Sequence, residues 1–177
     1  MRLVQVLAAV VATCGLVAGC GGSASGAAVV SPGAVAVVAP AGPTVSDQLQ
    51  FTAQTVDGRE FSGQSLVGKP SVLWFWAPWC TTCQAEAPGV ARVARAHPAV
   101  TFVGVAAQDQ VPAMRGFVAK YGLSFTHLAD LDASVWRRFG VTVQPAFAFV
   151  KPDGSVEVVK QALSEQQLSA RLAGLGG

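Results

Sequence analysis

Ser71-Val72-Leu73-Trp74-Phe75-Trp76-Ala77-Pro78-Trp79-Cys80-Thr81-Thr82-Cys83 is the stretch on which the reading of this chain turns. Val72 to Ala77 is an unbroken apolar run, short enough to be a strand buried on both faces. Pro78 interrupts it, and from Thr81 to about Ala96 most residues are good helix formers. The two cysteines therefore straddle a strand-to-helix junction, with Cys80 just past the strand and Cys83 on the first helical turn. The unpaired backbone N–H groups of a helix start favour a nearby anion. A free cysteine, with a pKa of about 8.5, is roughly 3% thiolate at pH 7; in a C-x-x-C at a helix start the pKa falls to about 3.5–7. The spacing also lets the second sulfur reach the first. A Cys80 thiolate would form a mixed disulfide with a substrate, and Cys83 would resolve it.

The other two cysteines lie near the N-terminus. Residues 1–19 hold one Arg, an apolar run and small residues, the pattern of a secretory signal peptide. Leu16-Val17-Ala18-Gly19-Cys20 resembles a bacterial lipobox, which makes Cys20 the expected lipidated first residue of the mature chain. Cys14 would be discarded with the signal. Residues 20–46 then form the lipid-attachment cysteine and a Gly/Ser/Ala/Pro/Val-rich tether, uncharged throughout. Residues 47–177 form the folded domain. Outside the cytoplasm, Cys80 and Cys83 can persist as a disulfide. Structural zinc would need a second cysteine pair or histidines at ligand spacing, and His97 and His127 stand alone. A net charge of +2 with no basic run argues against nucleic acid.

Along the domain, Leu49 to Val56 reads as a strand, Asp57-Gly58 as a hairpin turn, and Arg59-Glu60-Phe61 as the return. After the central strand and the cysteine helix, which contains Pro88, Val100 to Ala106 is a second buried strand. Val111 to Tyr121 is a helix stopped by Gly122, and Ser134 to Phe139 a short helix stopped by Gly140. Ala146 to Val150 and Ser155 to Val159 are strands around the Pro152-Asp153-Gly154 turn. Ser164 caps a terminal helix, with Gln167 completing a capping box. This order predicts an α/β domain with a mixed central sheet flanked by helices and an N-terminal β-hairpin.

Trp76-Ala77-Pro78-Trp79-Cys80-Thr81-Thr82-Cys83 resembles the active site of the thioredoxin family, W-x-x-W-C-x-x-C. Gln84-Ala85-Glu86-Ala87-Pro88 and the earlier Gly68-Lys69-Pro70 are similar to its secreted TlpA/ResA/DsbE branch, in particular the DsbE/DsbF-like lipoproteins of GC-rich Gram-positive bacteria. The resemblance spans essentially the whole domain and implies a thioredoxin-like fold. It implies that Pro145 is the cis-proline facing the disulfide, and that Gln144 before it contacts substrate backbone. Glu86 matches a glutamate beneath the disulfide in reductive members, where it takes the Cys83 proton; the competing reading is an exposed helix acid. Trp79, Thr81 and Thr82 are expected to meet substrate. The sequence departs from thioredoxin at Trp74, where thioredoxin has a buried Asp. Among the remaining aromatic residues, Trp74 and Phe75 are expected in the core, Trp76 and Trp79 over the site, and Trp136 packed on a short helix.

Function follows on four lines. An oxidase would pass the Cys80–Cys83 disulfide to thiols of exported proteins and be recharged by a membrane redox partner, which a lipid anchor would keep close. A reductase of the cytochrome c maturation type would run the same exchange backwards. A copper chaperone would need His127 as partner and usually has wider cysteine spacing. A peroxidase would need a reactive cysteine in another loop with an Arg partner, which the sequence does not offer. No bound cofactor is expected, because the disulfide itself is the redox centre.

Overall fold

The computed structural model describes residues 46–175. Cys14, Cys20, the signal peptide and nearly all of the expected tether lie outside the described residues. The strands are β1 (Thr52–Gln54), β2 (Glu60–Ser62), β3 (Ser71–Trp76), β4 (Thr101–Ala106), β5 (Thr126–Ala129), β6 (Ala146–Val150) and β7 (Val156–Val159). The α-helices are α1 (Thr81–Ala96), α2 (Val111–Tyr121), α3 (Ser134–Arg138) and α4 (Glu165–Leu172). Five strands make one sheet in the order β5-β4-β3-β6-β7. β3 pairs parallel with β4 and antiparallel with β6, so it is the middle strand.

All six residues of β3 are buried. Their side chains alternate between two cores, as the period of a strand demands. Val72, Trp74 and Trp76 pack with Val90 of α1, Phe117 of α2 and Leu168 of α4. Leu73 and Phe75 pack on the opposite face with Trp136 of α3, Phe139, Leu49 and Leu66. β1 and β2 form a separate antiparallel hairpin, whose partly buried Phe61 adds to that second core.

The helix boundaries follow the local chemistry. Gly122 adopts the left-handed conformation that ends α2. Both arms of the Ser164–Gln167 capping box are present at α4. Pro88 is accommodated inside α1.

Two expectations need correction. Leu49 does not open a strand: Asp47–Leu49 is a 3-10 turn, which buries Leu49, and β1 begins at Thr52. The sequence reading also missed β5. Its four residues, Thr126 to Ala129, are too few to show a period, and they become a strand by pairing parallel with Val103 to Ala106. The end of β5 is anchored by Asp130, whose N–H donates to Ala106 O at 2.8 Å. Its buried carboxylate accepts the N–H groups of Val135 at 3.1 Å and Trp136 at 2.8 Å, which joins β4, β5 and α3.

Gly104 marks the tightest packing of the sheet. A Cβ there would overlap the His127 imidazole and approach the Trp76 indole nitrogen to 2.8 Å. His127 and Trp76 are both buried, so neither ring has room to retreat. Gly104→Ala should destabilise the domain by about 1–3 kcal/mol, the usual cost of overpacking. The check is a lowered urea midpoint with an unchanged m-value.

Candidate active site

The strand-to-helix junction places the cysteines at the edge of the sheet where β3 and β4 end. Cys80 is the N-cap of α1, with extended backbone, and its Sγ accepts the Cys83 N–H at 3.1 Å. Cys80 and Cys83 are joined as a disulfide across a Cα–Cα distance of 5.2 Å. Cys80 is 6% exposed and Cys83 fully buried, so only Cys80 offers a sulfur to an incoming group. The loop before them is tied down: Cys80 N–H donates to Ala77 O, and the Gln84 side-chain amide donates to Pro78 O.

Other predicted residues arrive from separate elements. The Gln144–Pro145 bond is cis, with Pro145 buried and Gln144 half-buried. Because Ala146 pairs with Phe75, this bond lies beside the end of β3. Thr81 and Thr82 are exposed on the first turn of α1. Trp79 is 53% exposed and donates its indole N–H to Gln108 O at 3.0 Å, linking the cysteine loop to the loop after β4.

Trp76, in contrast, does not cover the site. It is wholly buried and stacks on Phe117 of α2 with centroids 4.2 Å apart. The strand period decides this, since Trp76 shares the face of Val72 and Trp74. His127, which a copper site would have recruited, lies on β5, edge-on to Trp76. Burial pushes its pKa down to about 3.

Glu86 is not an exposed helix acid. It lies one turn beyond Cys83 on α1, partly buried. Its Oε2 accepts the Trp74 indole N–H at 3.0 Å and its Oε1 accepts the Leu163 backbone N–H at 2.7 Å. Burial raises its pKa to about 7, although both hydrogen bonds favour the charged form. A cleft of about 340 Å³ between α1 and the start of α4, lined by Thr82, Glu86, Gly89 and Leu163, reaches this carboxyl. Trp74, where the sequence departs from thioredoxin, is thus the indole donor to the Glu86 carboxyl. The sequence reading treated Trp74 as a core residue and missed this bond, and it missed Leu163 altogether. No spacing rule connects residues 74, 86 and 163.

A carboxyl with a pKa near neutrality can take or give a proton at the pH where thiols exchange. The same shift has a stability consequence. The folded pKa of about 7 lies above the ordinary 4.5, so the folded state binds the proton more tightly. Stability from this group is full below about pH 4.5 and is lost as pH rises to about 7, by up to about 3 kcal/mol. Glu86→Gln should flatten that part of the pH dependence of the urea midpoint. Trp74→Phe, which removes one donor to the carboxylate, should move the Glu86 titration to higher pH in a carboxyl-resolved infrared or NMR experiment.

Comparison with known proteins agrees with the fold. The AhpC/TSA family description matches residues 45–159. The soluble secreted antigen MPT53 of Mycobacterium tuberculosis is 50% identical over 139 residues, covering 77% of this chain and 80% of MPT53. ResA of Bacillus subtilis, a thiol-disulfide oxidoreductase, is 28% identical over 126 residues, 70% of each chain. Among solved structures, MTB dsbF in its mixed oxidised and reduced forms is 61% identical with a TM-score of 0.74, covering 75% of this chain and all of that one. A secreted Mycobacterium tuberculosis disulfide oxidoreductase homologous to E. coli DsbE is 51% identical with a TM-score of 0.71, covering 74% of this chain and all of that one. With its thioredoxin-like sheet and its C-x-x-C disulfide at the start of α1, the chain belongs to the AhpC/TSA family, as a thiol-disulfide oxidoreductase.

Proposed function

We propose that the protein is an extracytoplasmic oxidase of exported protein thiols, held at the membrane by lipid on Cys20. The observation that carries the direction is the environment of Cys80. Its sulfur caps a 16-residue helix and already accepts the Cys83 N–H. A thiolate formed there on reduction would be stabilised by that donor and by the helix start. Stabilising the reduced form makes the disulfide a stronger oxidant. No carboxylate replaces Trp74 beneath the pair, and Glu86 is about half neutral near pH 7.

In the oxidative cycle, a client thiolate attacks Cys80 Sγ and breaks the Cys80–Cys83 bond. Cys83 leaves as a thiolate and is protonated, with Glu86 as the proton donor one turn away. The second client thiol, once deprotonated, attacks the client sulfur of the mixed disulfide and releases Cys80 as a thiolate. The client gains a disulfide, and the two electrons remain on the Cys80–Cys83 dithiol. A membrane-bound disulfide donor must remove them before the next cycle. Pro145 and Gln144 precede β6 beside the end of β3, Trp79 precedes Cys80 in the loop, and Thr81 and Thr82 follow it on the first turn of α1; these are the surfaces a client would touch.

The reductive reading is favoured by one observation. A carboxyl one turn beyond Cys83 with its pKa raised to about 7 can accept a proton as well as give one. The reduction potential separates the two directions. On the scale set by known proteins, a strong oxidant lies near −120 mV and thioredoxin near −270 mV, a difference of roughly 10⁵ in equilibrium constant. We expect equilibration with glutathione to place this pair toward the oxidising end. A value near thioredoxin would assign the protein to reduction.

Lipid anchoring is tested separately. Cys20→Ser should shift the protein from the membrane fraction to the medium and abolish labelling by a clickable fatty acid.

A further inference from the structure

A cavity of about 460 Å³ lies between the Asp57-Gly58 hairpin turn, α2 and the segment that leads from Leu123 into β5, and neither cysteine of the disulfide lines it. Its walls are fixed to one another. Thr55 and Arg59 close the hairpin turn: Thr55 N–H donates to Arg59 O at 2.7 Å, and Arg59 N–H to Thr55 Oγ1 at 3.0 Å. Val56 N–H donates to His127 O at 2.8 Å, which fastens the turn to β5. Arg115 Nε–H donates to Val56 O, which fastens α2 to the same turn. The cavity is therefore formed by the fold itself, as ligand pockets usually are, and its volume falls in their range.

The charged side chains at the cavity are Arg59, Arg115 and Asp57, all exposed. Neither guanidinium forms an ion pair: the ion pairs among the described residues are Arg92–Glu165 and Arg171–Glu157. The bond to Val56 uses the Nε–H of Arg115 and leaves its end-on pair, Nη1 and Nη2, for a planar two-oxygen acceptor. His127 also lines the cavity, and burial keeps it neutral. The Leu123 carbonyl is near enough to favour a proton on that ring, yet neither ring nitrogen makes a hydrogen bond of good geometry. Buried polar groups are almost always bonded, so His127 adds an unmet donor and an unmet acceptor. Val56, Val118, Leu123 and Phe125 make the rest of the wall apolar.

Two cations thus face one anion, which leaves one positive charge in excess. A single carboxylate matches that excess. A dianion would meet Asp57 with twice the repulsion, and the apolar wall would offer it no hydrogen bonds. We infer that this cavity binds a monocarboxylate on a short apolar body, with the carboxylate on Arg59 and Arg115 and the body against Val118, Leu123 and Phe125. The inference stands apart from the exchange chemistry at Cys80 and from its direction. Two sources offer such a group: a free short-chain organic acid, and the terminal carboxylate of a polypeptide that ends in an apolar residue. Either would bridge the hairpin, α2 and β5, and so stabilise the folded state by linkage.

The test titrates the full-length protein with hexanoate, read by calorimetry and by the rise in urea midpoint. Hexanol has the same body without the charge, and inorganic phosphate has charge without the body. Hexanoate is expected to bind at one site, with hexanol and phosphate at least about tenfold weaker, the scale of hydrogen bonds to a charged group. Arg59→Gln and Arg115→Gln should each weaken hexanoate about tenfold. Asp57→Asn should tighten it about threefold by removing a like charge. The Arg59 and Asp57 side chains make no hydrogen bond within the protein, so these two variants decide the matter even if Arg115→Gln loosens the hairpin. Loss of packing would not shift affinity in opposite directions at two positions of one turn. Acetyl-glycyl-glycyl-leucine separates the sources: binding tighter than hexanoate and lost on amidation of its terminus assigns the site to chain ends, and weaker binding assigns it to free acids. Hexanol or phosphate binding as tightly as hexanoate would overturn the inference. So would unchanged affinity in both arginine variants, or the absence of binding by both readouts for hexanoate and the peptide alike.

Discussion

The complete burial of β3 is the constraint on which the rest of this molecule depends. A strand with Trp74, Phe75 and Trp76 in succession cannot leave either face in water. It needs a layer on each side and a hydrogen-bonded neighbour on each edge. α1, α2 and α4 supply one layer, and α3 with the hairpin region supplies the other. β4 and β6 close the edges. The chain can leave such a strand only at its end, and there it turns directly into α1. The disulfide thus sits where a rigid strand meets the polar start of a helix, and the hydrogen bonds of the loop between them help to hold Cys80 in place.

The same burial shapes the chemistry below the disulfide. A carboxyl facing the aromatic layer loses its hydration, which drives its pKa upward. Trp74 and the Leu163 backbone return two hydrogen bonds, enough to keep the group near neutrality rather than permanently protonated. The indole that fills the core is also the donor that sets the acid, so packing and proton chemistry share one side chain. Leu163 brings in the segment before α4, which couples the terminal helix to the redox centre although it lies far along the chain.

His127 shows the opposite balance. Its imidazole is as buried as Trp136, and burial sends its pKa to about 3. It therefore remains neutral throughout the range in which thiols exchange. Gly104 opposite it is the space that its ring requires. Together they form a packing device under the edge of the sheet and take no visible part in the exchange.

Much of this was legible in the order of residues. The apolar run before Cys80, the spacing to Cys83, the stops at Gly122 and Gly140 and the capping box at Ser164 are local signals, and local geometry obeyed them. The class of chemistry was equally local, because a C-x-x-C at a helix start carries its own electrostatics. The resemblance to thioredoxins added the cis bond before Pro145, which no local pattern could have supplied. What tertiary structure alone decided is what depends on distant partners. β5 is a strand only because β4 lies beside it, and Trp76 is a core residue only because α2 covers its face. Glu86 is a half-neutral acid only because residues 74 and 163 meet it. Such contacts join positions with no fixed spacing, and their energies arise from desolvation, which exists only once the chain has closed around them.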